Sequence, residues 1–97
     1  MEQTNSMNKR IKELEAKGFT ENFVISHGRL NSSKGIYRPE QVTVEKTVRI
    51  ENDSDPNNQS ILYGLSCEGG EKGMVVNGFG LNSDPDKDEF ILKATRQ

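Results

Sequence analysis

Apolar and polar positions alternate most regularly over Ser60–Gly80, SILYGLSCEGGEKGMVVNGFG. Ile61, Tyr63, Leu65 and Cys67 alternate with Leu62, Gly64 and Ser66, and Met74 and Val76 alternate with Val75, Asn77 and Phe79. A period of two predicts two strands. Gly69-Gly70 lies between them, and paired glycines supply the positive φ that tight hairpin turns require. A turn on those two residues sets Leu65 opposite Met74, Tyr63 opposite Val76 and Ser60 opposite Phe79. The core face is then Ile61, Tyr63, Leu65, Cys67, Met74 and Val76. Leu62, Val75 and Phe79 share the second face with small and polar residues, which makes them a candidate interface. This register opposes Glu68 to Glu71, an unfavourable like-charge pair, so a longer loop over Gly69–Lys72 is the alternative.

Upstream, Met7, Ile11 and Leu14 recur at helical spacing and predict an N-terminal helix from Ser6, capped by Asn5 or Ser6. Glu13 and Lys17 form an acid-first pair one turn apart. Gly18 ends the helix, with Phe19 folding back on Leu14 in a Schellman arrangement. Residues 1–5 are polar and expected to fray. Phe23–Leu30 reads as a strand weakened at Gly28, and Ile36-Tyr37 adds a short one before Pro39. Val42–Glu51 is a strand with Val42, Val44, Val48 and Ile50 on one face. Lys46 breaks that face, which predicts a bulge there or an edge position. Asn52–Gln59 is a polar loop. Asp84 can cap a short C-terminal helix starting at Pro85, with Phe90, Ile91 and Ala94 on its apolar side; a last strand over Glu89–Ala94 is the competitor. The expected fold is one α+β domain over residues 1–97: an antiparallel sheet of about four strands with both helices packed on one face.

Composition narrows the function classes. The chain has 97 residues and a net charge of −2, so its core is small and charge repulsion does not favour disorder. A single cysteine, Cys67, cannot form an intrachain disulfide, and neither a basic-then-apolar leader nor a membrane-length apolar run is present. A cytoplasmic protein with no membrane association is the expectation. Residues 1–49 carry nine Lys and Arg against six acids, and residues 50–97 carry four against nine. That split either reflects complementary elements within the fold or a polarised surface suited to a charged partner.

Chemistry is sparse. His27 and Cys67 are the only residues of their types, too few for structural zinc. Asp53–Asn57 and Asp84–Asp88 imitate the start of a calcium loop. Position six, however, is Asn58 or Glu89 instead of glycine, and position twelve is Gly64 or Thr95 instead of glutamate. Gly69–Gly73 lacks the spacing of a phosphate loop and joins two strands. No arrangement joins Ser, His27 and Cys67 into a nucleophilic site. A pI near 5.4 and scattered cations argue against nucleic acid. Arg29, Lys34 and Arg38 near Tyr37, with Lys46, are the candidate contacts for an anion.

Several of these segments together carry a likeness. Leu14…Gly18-Phe19-Thr20…Phe23, Val44–Glu51, Ser54-Asp55-Pro56, Ser60-Ile61-Leu62-Tyr63 and Lys72-Gly73…Val76 with Gly80 resemble a family of bacterial proteins of about this length, commonly labelled phosphoribosylpyrophosphate synthetase. The likeness covers most of residues 11–81, and Ser-Asp-Pro followed by Ser-x-Leu-Tyr is its most distinctive part. Enzymes that carry that activity are much larger and hold ribose phosphate with paired acids and a Thr-Gly-Gly loop. No position here matches that loop, so no catalytic residue transfers. The resemblance implies a small compact domain without an assigned role. The expected function is therefore non-enzymatic and cofactor-free, working through contact with a protein partner or a second copy. Binding of a small anionic or nucleotide-like ligand is the alternative, with the synthetase activity of the family label a further one.

Overall fold

A computed structural model describes residues 7–50, 60–78 and 83–95 of the chain. The fold is α+β. Helix α1 (Met7–Ala16) is followed by strands β1 (Glu21–Asn22), β2 (Val24–Ser26), β3 (Arg29–Asn31) and β4 (Ile36–Tyr37). A 3-10 turn (Pro39–Gln41) leads into β5 (Val42–Ile50), β6 (Ser60–Cys67), β7 (Lys72–Gly78) and helix α2 (Pro85–Thr95). The four-stranded sheet runs β1-β7-β6-β5, antiparallel except where β1 joins β7 in parallel. Strands β2, β3 and β4 form a separate antiparallel sheet that the sequence pattern did not suggest. The proposed cap at Asn5 or Ser6, the fraying of residues 1–5, the Asn52–Gln59 loop and Phe79 lie outside the described residues.

Both helices end or begin as their local chemistry dictates. The Phe19 N–H donates to the Leu14 carbonyl and the Gly18 N–H to that of Glu15, each at 3.0 Å, which is the Schellman pattern. Glu13 forms its ion pair with Arg10 at 3.1 Å. At the other end Asp84 Oδ1 accepts the Asp86 N–H at 3.0 Å, and Pro85 opens α2. Helix, not strand, is the outcome over Glu89–Ala94.

The central hairpin is offset by one residue from the register that a two-glycine turn requires. Tyr63 faces Val75, Leu65 faces Gly73 and Ser60 faces Gly78. The Cys67 N–H donates to the Glu71 carbonyl and the Gly70 N–H to that of Cys67, so the turn runs through Glu68, Gly69 and Gly70. Gly70 alone of these takes positive φ, +98°, as in a turn closed by a glycine bulge. This longer turn removes Glu68 from the position across from Glu71 and separates the two carboxylates. A one-residue slip moves every β7 side chain to the opposite face. Val75 therefore joins Tyr63, Leu65 and Cys67, while Met74 and Val76 join Leu62.

Strand β5 changes face as well. Its pairing with β6 shifts between Val44 and Lys46, the bulge that Lys46 signalled. Val42 and Val44 lie across from Cys67 and Leu65, whereas Val48 lies across from Leu62. The apolar face read from Val42 to Ile50 is thus divided between the two sides of the sheet. Each side now carries enough apolar surface to need a cover. Helix α2 covers one, with Phe90 and Ile91 packed among Tyr63, Leu65, Cys67, Val75 and Val42 and joined by Phe23, Ile25 and Leu30. Helix α1 and Phe19 cover the other, with Leu14 and Phe19 on Leu62. The helices sit on opposite faces, not on one.

Candidate functional site

Of the residues expected to form an interface, the two that are described, Leu62 and Val75, do not lie at the surface. Leu62 is fully buried beneath α1, and Val75 is buried on the opposite side of the sheet with α2. The cause is the shifted register, which sends the two residues to different faces. Exposed apolar side chains occur elsewhere. Val24 is 60% and Ile36 67% exposed, and both belong to the small sheet.

That sheet is built by a turn with a specific conformation. His27 (φ 54°) and Gly28 (φ +75°) both take positive φ, as the central pair of a type I′ hairpin turn. Ser26 then pairs with Arg29, Ile25 with Leu30 and Val24 with Asn31. The strand expected over Phe23–Leu30 is therefore interrupted, with β2 and β3 folding back on each other. Strand β4 adds Tyr37 beside Leu30 and Ile36 beside Asn31. Alternation sorts the residues by face. Ile25 and Leu30 point into the α2 core, with Tyr37 packed against it, while Val24, Asn31 and Ile36 make one outward row. Asn31 Nδ2 braces that row by donating to the Val24 carbonyl at 3.2 Å.

Of the four cations named as anion contacts, the fold brings two together. Continuing the β3–β4 register by one residue places Arg38 across from Arg29, next to the Val24–Ile36 row. The Arg38 backbone is fixed there: its N–H donates to Gln41 Oε1 at 2.9 Å and its carbonyl accepts the Gln41 N–H. Two shallow depressions flank the arginine pair and share Arg29, Arg38 and Glu40. One continues to Ile36, Gln41 and Glu68, the other to Gly28, Pro39 and Lys93. Lys93 of α2 is a contributor that no local sequence signal marks. Lys34 lies in a different depression, with Gly69, Gly70 and Lys72. Lys46 is exposed on the bulge of β5, paired with Gly64 in the other sheet.

A second polar group lies beneath the hairpin turn. Glu71, only 7% exposed, accepts a short hydrogen bond from the Tyr37 hydroxyl, and the Ser32 hydroxyl lies 3.1 Å from both of its carboxylate oxygens. Ser32 Oγ also accepts the Lys34 and Gly35 N–H groups, at 3.1 and 3.2 Å. The arrangement ties the tip of one sheet to the other and suits structure better than catalysis. Burial, with the Glu71 charge nearby, pushes the Cys67 thiol up to about 11, so it is not a thiolate nucleophile at neutral pH. The hydrogen bond to Glu71, with burial and the carboxylate charge, raises Tyr37 to about 12.

These two shifts set an alkaline limit. The unfolded values are 10.0 for Tyr37 and 9.0 for Cys67, both below the folded ones. Their protonated forms therefore contribute stability that is fully present below pH 9 and is lost as pH rises through 11 and 12. Urea melts at steps across that window are expected to show a falling midpoint, with a smaller fall in Tyr37→Phe. A midpoint flat across the window contradicts the tie.

Among the described residues no group of three His, Cys, Asp or Glu side chains is placed to hold a metal, and every buried side-chain nitrogen or oxygen has a hydrogen-bond partner. The acids at the start of α2 have structural partners: Asp84 caps the helix, and Asp88 accepts from Asn77 Nδ2 at 2.7 Å. No described helix is long and apolar enough to cross a membrane. Compared with known proteins, the chain matches no family model, no curated protein and no solved structure.

Proposed function

We propose that this chain is a binding domain that acts by contact with another protein through the outer face of the β2-β3-β4 sheet. The observation that carries the reading is the exposure of Val24 and Ile36 in a single cross-strand row. Full burial of an aliphatic side chain of this size is worth at most about 1.5–3 kcal/mol, and a partner that seats on the row gains the part that Val24 and Ile36 still expose, less the cost of association. The inner side of the same strands is locked into the α2 core by Ile25 and Leu30, which makes the outer face a firm platform. Pyrophosphoryl transfer, the activity in the label of the family that the sequence resembles, is not part of this reading, because no position of the sequence matches the Thr-Gly-Gly loop of that activity.

Peptides selected from a displayed random library on the purified chain test the proposal. Those peptides are expected to lose at least tenfold in affinity on a Val24→Asp/Ile36→Asp variant whose melting temperature is unchanged. Equal binding to the variant, or no selection above background, overturns it. Sedimentation equilibrium separates a second copy from a different partner, and a monomer is expected.

A further inference from the structure

The apolar row explains why this face would be covered, and the arginines beside it point to what covers it. Arg29 and Arg38, one residue beyond the last β3–β4 pair, line the same two depressions on the solvent side, where like charges repel unless something neutralises them. Among the described residues the neutralisation is partial. Glu40 reaches Arg38 only at 4.0 Å on an exposed surface, and Arg29 donates to the Gly28 carbonyl. The two flanking depressions differ in charge. On the Ile36 side Glu68 lies in the same depression as Glu40, whereas on the other side Lys93 adds a third cation beside Glu40. The Lys93 ammonium is held 3.6 Å from Glu89, an exposed pair that is easily exchanged.

Resting on the protein-contact reading above, we infer that the partner segment is acidic. It crosses the Arg29–Arg38 ridge with an apolar side chain on the Ile36 side and a carboxylate on the Lys93 side. Planar guanidinium groups bind carboxylates through paired N–H donors, and arginine is enriched among the residues that carry binding energy at interfaces. A small free anion would answer the arginines and leave Val24 and Ile36 wet. A second copy is a weaker candidate, because several of its described carboxylates are held within the chain: Glu71 with Tyr37, Glu45 with Ser66 and Asp88 with Asn77.

The test uses the full chain and the same displayed library. Selected peptides are expected to be enriched in Asp or Glu beside an apolar residue. They should bind at least tenfold more weakly to Arg29→Glu/Arg38→Glu, and their affinity should fall with added salt. Replacing the peptide's acid by lysine is expected to weaken binding to the native chain and restore it on the charge-reversed variant. Peptides without acidic enrichment that still need Val24 and Ile36 overturn this inference and leave the contact surface standing. Binding that needs the arginines but ignores Val24→Asp/Ile36→Asp overturns the contact reading itself. Saturable calorimetric binding of inorganic phosphate, abolished by Arg29→Glu/Arg38→Glu, reassigns the arginines to a small anion and also overturns the inference.

Discussion

Gly73→Ala is expected to destabilise the chain by about 3 kcal/mol, near the upper end for forced overpacking. For a domain of this size that corresponds to a fall of roughly 12–24 °C in melting temperature. A Cβ at this position would stand 2.3 Å from the Glu21 carbonyl oxygen and 2.8 Å from its carbon. Those atoms are backbone, so no rotamer relieves the clash. Strand β1 must instead retreat from β7, to which only Glu21 and Asn22 pair it. The consequence spreads because β1 lies between two anchors. Phe19 belongs to the core under α1 and Phe23 to the core under α2. Gly35→Ala is the control: a Cβ there meets nothing within 4 Å, and a change within about 0.5 kcal/mol is expected. Equal melting of the two variants would mean that β1 does not approach β7 as described.

Features decided by local chemistry were legible in the sequence. Gly18 and Phe19 announced the end of α1, Asp84-Pro85 the start of α2, and Lys46 the bulge in β5. Each depends on atoms within a few residues. The hairpin register was not legible in the same way. A Gly-Gly pair suggests a two-residue turn, but the chosen turn is the one that buries Glu71 against Tyr37 and Ser32, which come from distant positions. The one visible hint was the clash of Glu68 with Glu71. Everything that depended on the register followed it, including the supposed Leu62, Val75 and Phe79 face and the placement of both helices on one side. The His27-Gly28 turn went unread because Asn-Gly and Asp-Gly are the pairs that signal a two-residue hairpin turn, although histidine also tolerates positive φ. The arginine pair was half visible. Arg29 and Arg38 stood out as a loose group near Tyr37, but only the β3–β4 pairing separates them from Lys34 and Lys46, and the packing of α2 against the 3-10 turn adds Lys93.

Phe90→Ala is expected to cost about 4 kcal/mol, because a nearly fully buried aromatic leaves a cavity that its neighbours fill only in part. Leu92→Ala, two residues along the same helix and 52% exposed, is expected to cost less than about 1 kcal/mol. The contrast fixes which side of α2 faces the sheet. Leu62→Ala is expected to cost about 3 kcal/mol on the other face. Domains of this length hold roughly 5–15 kcal/mol in all, so combining the two large truncations risks unfolding the chain. A milder partner serves better: Ile91→Val, in the α2 core, costs about 1 kcal/mol. If the sheet divides the interior into two cores, Leu62→Ala and Ile91→Val add to within about 0.5 kcal/mol in urea melts. Both helices packed on one face would share neighbours between these sites and produce a larger coupling. A coupling above about 1 kcal/mol would therefore contradict the slipped register, and with it the burial of Leu62 and Val75 on opposite faces of the sheet.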